Sequence, residues 1–398
     1  MVLAGRASTW GSDTAPAYVD GPLATARFNE PMGMALTPDG TTLFVADYGN
    51  QAVRKIDIVG GTVSTLRVGT GSGHADITNP RAVRVGKVTG YVYVACNDGF
   101  GGYILRLDPV TGAIVDYALP YDAVHGVTGF DLNQAETLIY IQGLWNGFGN
   151  WSFGCWRGPI GSPSTYFPFG GGFASIFSAA GGLCYLDDQD KIVSQTRGGY
   201  IYSALYGLKT YKGADWTDLA DIEGSYGSSR TGWGNVTNSG AMAKFQDPTG
   251  IWHVVRYAPQ YYLQDVMFTS DVLDIQPAGG PWPDSVTSGY YTFWGPPGYP
   301  DGSRQMHPHS LELDQQKGIV YFSDNPMFTG NDVTSWGSDG PNHSHSIWML
   351  VPTIRPSTVE PPLRLMQRQD GEGNDGPRLP AFATSKQDSI RVGPGTYT

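Results

Sequence analysis

Residues 31–66, PMGMALTPDGTTLFVADYGNQAVRKIDIVGGTVSTL, alternate short apolar runs with clusters of Pro, Asp, Asn and Gly. That pattern predicts strands over residues 32–36, 43–46, 52–58 and 62–66, the first two joined by a turn at Pro38-Asp39-Gly40. The next segment, PRAVRVGKVTGYVYVACNDGFGGYILRLDPVTGAIVDYAL, repeats the order with the same spacing: counted back from the second strand, Pro80 falls on Pro31 and Val92 on Leu43. The pattern returns more loosely in HGVTGFDLNQAETLIYIQG, AGGLCYLDDQDKIVSQ, SGAMAKFQDPTGIWHVVRY and HPHSLELDQQKGIVYFSDN, six units in all.

Six four-stranded units fit a sandwich poorly. They fit a radial array in which each sheet buries both faces against its neighbours, so the expected fold is all-β, a six-bladed β-propeller. The opening stretch VLAGRASTWGSDTAPAYVDGPLATARFNEPMGMAL, followed by VADYGNQAVRKID, resembles the NHL-repeat family over residues 2–70. The resemblance implies that VLAG is an outer strand whose blade is completed from the far end of the chain, outside SHSIWMLVP, closing the ring. The repeat period and the Pro-rich sequence that ends it set the expected domains: a propeller over 1–352 and a Pro-rich linker with an extended arm over 353–398. LWNGFGNWSFGCWRGPIGSPSTYFPFGGG reads as a loop insertion. Asp47 and Asn50 are expected to brace the turn after the second strand by hydrogen bonds to its backbone.

Propellers place ligands in the axial channel, where the first strands of successive blades begin. The register gives Met32, Arg81, His125, Gly181, Gly240 and His309 as the ring at that level. Arg81, His125 and His309 are the channel candidates. Neutral imidazoles meeting on an axis are Zn²⁺ ligands, and the resemblance extends to NHL-type lyases that hold catalytic metals through histidines there. His307 with His309, and His343 with His345, add H-x-H pairs, which share a face on a strand but more often sit in solvated turns when Gly, Ser and Pro surround them. Zn or Ca is therefore a minor expectation, and no cofactor is predicted. No GxSxG elbow, HExxH or P-loop is present. Six-bladed lactonases hold calcium with a Glu, Asn and Asp set, but Glu223, Asn325 and Asp324 do not fall at the corresponding first-strand position.

Composition narrows the partners. The chain has 398 residues, 40% hydrophobic and 13% aromatic, with 55 Gly, only 15% charged residues and a formal net charge of −11. There is no basic field for a phosphate backbone, so nucleic acid is not an expected partner. No run of ~18 apolar residues predicts a membrane span, and the opening residues do not read as a secretory signal. Cys96, Cys155 and Cys184 form no CxxC and read as small buried hydrophobes.

From Pro352 the propeller period stops. Pro-rich sequence gives way to a polar arm carrying Arg364, Arg368, Arg378 and Arg391, suited to docking on an acidic partner or a sister subunit. The closing QDSIRVGPGTYT is similar to the ends of some tailed-phage structural proteins. Two function classes stand. The first is a non-enzymatic structural or adhesion module of a virion or cell-surface array. It would bind a partner protein or glycan through aromatic loops: Trp145, Trp151, Phe153 and Trp156, then Tyr261, Tyr262, Tyr290 and Tyr291. The second is a metal-dependent lyase or hydrolase working in the channel.

Overall fold

The computed structural model describes residues 2–5, 17–70, 75–98, 101–124, 126–147, 150–162, 165–168, 182–187, 190–196, 207–212, 217–221, 242–246, 250, 252–258, 262–268, 288–292, 308–324 and 345–350. The arm beyond 350, with Arg364, Arg368, Arg378 and Arg391, lies outside them, as do His125, His307, His343 and Tyr261.

The described residues form antiparallel strands in a propeller-like arrangement of sheets. The first strand, β1 (Val2–Ala4), belongs to the last sheet. The next sheet runs β2 (Gly21–Pro22), β3 (Pro31–Leu36), β4 (Thr42–Asp47), β5 (Ala52–Asp57) and β6 (Thr62–Val68), in the order β2-β6-β5-β4-β3. A second sheet is built from β7 (Pro80–Val85), β8 (Val92–Asn97), β9 (Gly102–Leu107) and β10 (Ile114–Val124). A third takes β11 (Gly126–Leu132), β12 (Leu138–Gly147), β13 (Asn150–Pro159) and β14 (Thr165–Pro168). A fourth consists of β15 (Leu183–Leu186), β16 (Lys191–Thr196), β17 (Gly207–Lys212) and β18 (Thr217–Asp221). The fifth has β19 (Met242–Gln246), β20 (Trp252–Ala258), β21 (Tyr262–Phe268) and β22 (Ser288–Thr292). The last, β23 (Pro308–Asp314), β24 (Ile319–Asp324) and β25 (Ser346–Leu350), takes β1 on its outer edge, with Val2 opposite Trp348 and Ala4 opposite Ile347.

The first strands touch one another in sequence: β3 meets β7, β7 meets β11, β11 meets β15, β15 meets β19, β19 meets β23, and β23 returns to β3. Apolar side chains fill the gaps between sheets. Met34, Leu43, Val45 and Ile56 of the first complete sheet pack with Leu3, Ala4, Tyr321 and Ile347 of the last. Met32, Phe44 and Val53 pack with Val83, Val94 and Leu105 of the next. The first complete sheet therefore buries both faces, and each large side chain removed from water stabilises by roughly 1.5–3 kcal/mol. Polar staples fix the spacing. Asn97 donates to Val127 O (3.0 Å) and accepts from Val127 N (2.8 Å), while Ser310 Oγ accepts from Met34 N (3.0 Å) and Ser323 Oγ donates to Met32 O (2.6 Å). Gly40, in the β3–β4 turn, has φ +67°, and a Cβ there would lie 2.7 Å from Asp314 Oδ2, so both backbone and space demand glycine.

Two sequence expectations are corrected. Asp47 and Asn50 bond to each other across their turn rather than to its backbone. Asp47 accepts from Asn29 N (2.7 Å), Asn50 Nδ2 (2.9 Å) and the guanidinium of Arg54 (2.7 Å), and Asn50 donates to Ala17 O (3.0 Å). The turn does not need them, because Tyr48 N and Gly49 N already donate to Glu30 O and Asn29 O. Arg54, fully buried, also donates to Arg27 O (2.9 Å), Val19 O (2.9 Å) and Asp20 (2.6 Å), so this buried group ties the segment around residues 17–29 to the first complete sheet. Burial pushes the Asp47 carboxyl up to about 6 against the pull of these donors. Second, much of the expected loop insertion at 144–172 is paired backbone: residues 144–147 and 150–159 continue β12 and β13 as one long hairpin, and 165–168 form β14.

Candidate functional site

The register of the first strands defines two levels along the axis. Pro31, Pro80 and Pro308 open their strands opposite Asp47, Cys96 and Asp324, and a register shift follows each of them; in β11 the same shift follows Val127. Met32, Arg81, Thr128 and His309 are therefore equivalent. The position expected for His125 is occupied by Thr128, because β11 carries the same bulge three residues further along than a gap-free count places it. Arg81 is half-buried, its guanidinium 5.7 Å from the Tyr48 ring centroid, and desolvation pulls its pKa down. His345 is not part of an H-x-H pair on a common strand within the described residues; its Nδ1 accepts from Glu30 N at 2.9 Å, beside the strand that receives β1.

Three residues further along each first strand lies a second level. Ala35 pairs with Phe44, Arg84 with Tyr93, Asp131 with Tyr140, Cys184 with Val193, Lys244 with Val254 and Glu312 with Tyr321. Each sheet thus contributes one side chain at the same register, and four are ionisable charges of alternating sign. Lys244 Nζ sits 2.6 Å from Asp131, reaching past the intervening Cys184, and also donates to Tyr185 O. Arg84 lies 3.7 Å from Asp131 and, past the small Ala35, 3.7 Å from Glu312. Asp131 further accepts from Leu132 N (3.0 Å) and Tyr185 N (2.8 Å).

These contacts set the titration of the belt. Asp131 is desolvated, but Lys244 and Arg84 outweigh the burial and hold its carboxyl below the ordinary range. For Glu312 desolvation dominates over the longer contact to Arg84 and a backbone hydrogen bond at Leu36, and pushes its carboxyl up to about 7. Burial likewise pushes the Cys184 and Cys96 thiols up to about 12, which leaves both as inert hydrophobes, as the sequence suggested. Among the described residues no group of three or more His, Cys, Asp or Glu side chains is arranged to hold a metal ion.

The other candidate region is the β12–β13 hairpin. β12 pairs with β11 only as far as Leu144, and β13 pairs with β14 only over Gly154–Arg157. Beyond those points Leu144 faces Phe153, Trp145 faces Ser152, Asn146 faces Trp151 and Gly147 faces Asn150. The aromatic residues expected in loops are thus on strands. Trp156, further down β13, is buried in the core between the second and third sheets and is not a contact residue. Tyr262, Tyr290 and Tyr291 also lie on paired strands, β21 and β22.

No protein-family profile matches the chain, and no curated protein sequence matches it. Solved structures do, and they are propeller-like proteins. A structural-genomics protein of unknown function from Bacteroides thetaiotaomicron superposes with TM-score 0.53 at 14% identity, covering 83% of this chain and 74% of that one. An auxiliary nutrient-binding protein from the same organism superposes with TM-score 0.54 at 11% identity, covering 87% and 75%. A gluconolactonase from Xanthomonas campestris aligns at TM-score 0.45 and 12% identity over 75% and 84%. At these identities the likeness concerns the fold.

Proposed function

We propose that the chain is a non-enzymatic binding module of a larger assembly. Its head is a six-bladed β-propeller over 1–352, closed by the N-terminal strand, and residues 353–398 form a docking arm. The cyclic contact of the first strands and the pairing of β1 with β25 support the six-bladed closed reading. The observation that carries the binding reading is the ribbon: an aromatic hairpin extending past its own sheet, with no further ladder partner among the described strands. Aromatic residues on such a projection are the kind that anchor protein contacts or stack on sugars, so the partner is a protein or a surface glycan. The assembly is a virion or a cell-surface array.

The test is to replace Trp145, Trp151 and Phe153 together by Ser and follow incorporation into the native assembly. Loss of incorporation with an unchanged melting curve supports the module, and normal incorporation refutes it. The alternative, a lyase or hydrolase acting in the channel, draws on Glu312, a desolvated carboxyl poised near neutrality on the axis. On that reading Glu312→Gln abolishes an activity. On ours it changes only the pH dependence of stability.

A further inference from the structure

We propose that the contact between His345 and Glu30 is an acid-sensitive latch on the seam where the first and last sheets meet, and that a proton on the imidazole releases β1 and the segment leading into β3. The inference is independent of what the head binds. Glu30 N donates to His345 Nδ1 at 2.9 Å, so the neutral ring carries its hydrogen on Nε2. An imidazolium carries a hydrogen on both nitrogens. Its Nδ1 hydrogen would be turned against the Glu30 N–H, so the bond is lost rather than weakened. The closed latch therefore excludes a proton that the open one accepts, and acid favours opening.

The surroundings make this the place where the seam gives way. β1 is three residues long and pairs with β25 at Val2 and Ala4, with a register shift between them. Gly5 follows so close to the latch that a Cβ there would lie 3.1 Å from His345 O, and its amide donates to Leu23 O (3.1 Å). β1, His345 and the segment before β3 thus converge on one point. Glu30 has φ +55°, a left-handed conformation that costs a residue other than glycine, and the bond from its amide helps to hold it there. The neighbouring Ser346 hydroxyl is buried with no hydrogen-bond partner among the described residues, a cost that opening relieves.

The ionisable groups around the latch among the described residues are Glu30 itself and Asp47 at the end of β4, with Arg54 bound to Asp47; Asp324 stands opposite Ser346 in the β24–β25 register, and β1, β3 and β25 bring none. Burial, then Asp47, raises the Glu30 carboxyl, and burial raises Asp47 to about 6, so both add stability as pH falls. Their sense is opposite to that of the latch, which lets the two be told apart.

The experiment is hydrogen exchange by mass spectrometry on the full chain between about pH 7.5 and about pH 5.5, each rate divided by that of an unstructured amide at the same pH. An imidazole that titrates near about 6.5 in the open latch and takes no proton in the closed one gives a rise of about tenfold in the opening of residues 2–5 and of the Glu30 amide across that range, with β7, β8 and β9 unchanged. His345→Asn keeps a side-chain acceptor that cannot titrate, and should abolish the rise. Glu30→Gly keeps the amide, suits the left-handed backbone and removes an opposing carboxyl, so the rise should be kept or steepened. A wild-type chain whose residues 2–5 open no more at the lower pH overturns the proposal, whether or not either variant folds by circular dichroism. A rise that persists undiminished in His345→Asn overturns it and assigns the acid response to another group. A rise lost in Glu30→Gly also overturns it, since the amide to be released is still there.

Discussion

The axial belt and the ribbon use side chains in opposite ways. The belt gathers Arg84, Asp131, Lys244 and Glu312 at the centre of the fold, where each charge is answered by another from a different sheet. The β12–β13 hairpin of the third sheet has no charged residue over 144–153 and runs on past its pairing with β11 and β14. Charges inside that answer one another serve to hold sheets in register. On the proposed function, the uncharged aromatic stretch of the hairpin is what meets a partner. The proposed function follows this difference, with stability at the axis and recognition at the hairpin.

Removing a belt charge should give the largest effect. Lys244→Ala leaves Asp131 buried with only the more distant Arg84, and the loss should be about 3–5 kcal/mol in a denaturant titration, with ribbon contacts unaffected. Lys244→Met combined with Asp131→Leu should recover much of it, since no buried ion is then orphaned. Deleting residues 2–5 should come next. Leu3 and Ala4 are buried, and their strand caps the edge of β25, so the truncated chain should lose about 2–4 kcal/mol and aggregate more readily on heating. An unchanged melting curve would remove the closure from the account.

Glu312 sharpens the comparison through pH. Its carboxyl is raised from 4.5 to about 7, so the folded state holds a proton that the unfolded chain releases. Its contribution is fully present below about 4.5 and is lost as pH rises towards about 7. Glu312→Gln should therefore flatten the stability profile across that window and stabilise the protein at pH above it, on the order of 1–3 kcal/mol. Asp131 works in the other direction: its lowered pKa gives stability above its ordinary value that disappears on acidification. The smallest effect on stability belongs to the ribbon. Trp145→Ser or Trp151→Ser should move the melting midpoint little, within about 0.5 kcal/mol, while weakening assembly.

Much of the first two sheets was legible in the sequence. Residues 31–66 and 80–119 alternate apolar runs with Pro, Asp and Gly turns, and the strands form within a residue or two of the expected limits. The ribbon was misread as a loop because LWNGFGNWSFG has none of the apolar–polar alternation that marks a half-buried strand. Its pairing comes from continuing the β12–β13 ladder beyond the core. The belt could not be read at all. Arg84, Asp131, Lys244 and Glu312 lie far apart in the chain, and only the hairpin registers, bulges included, show that they share a level. The same bulge moved the upper ring from His125 to Thr128. Asp47 was recognised as important, but its partner Arg54 lies across the β4–β5 hairpin, one turn of reasoning beyond a local motif.

The most direct test of the account is hydrogen exchange by mass spectrometry on the full chain, free in dilute solution and in its native assembly. The account predicts that assembly slows exchange in residues 144–153 and leaves the β7, β11, β19 and β23 amides around Arg84, Asp131, Lys244 and Glu312 as protected as before. Protection gained instead at the axial level of Met32, Arg81, Thr128 and His309, with the ribbon unchanged, would contradict it and move recognition into the channel.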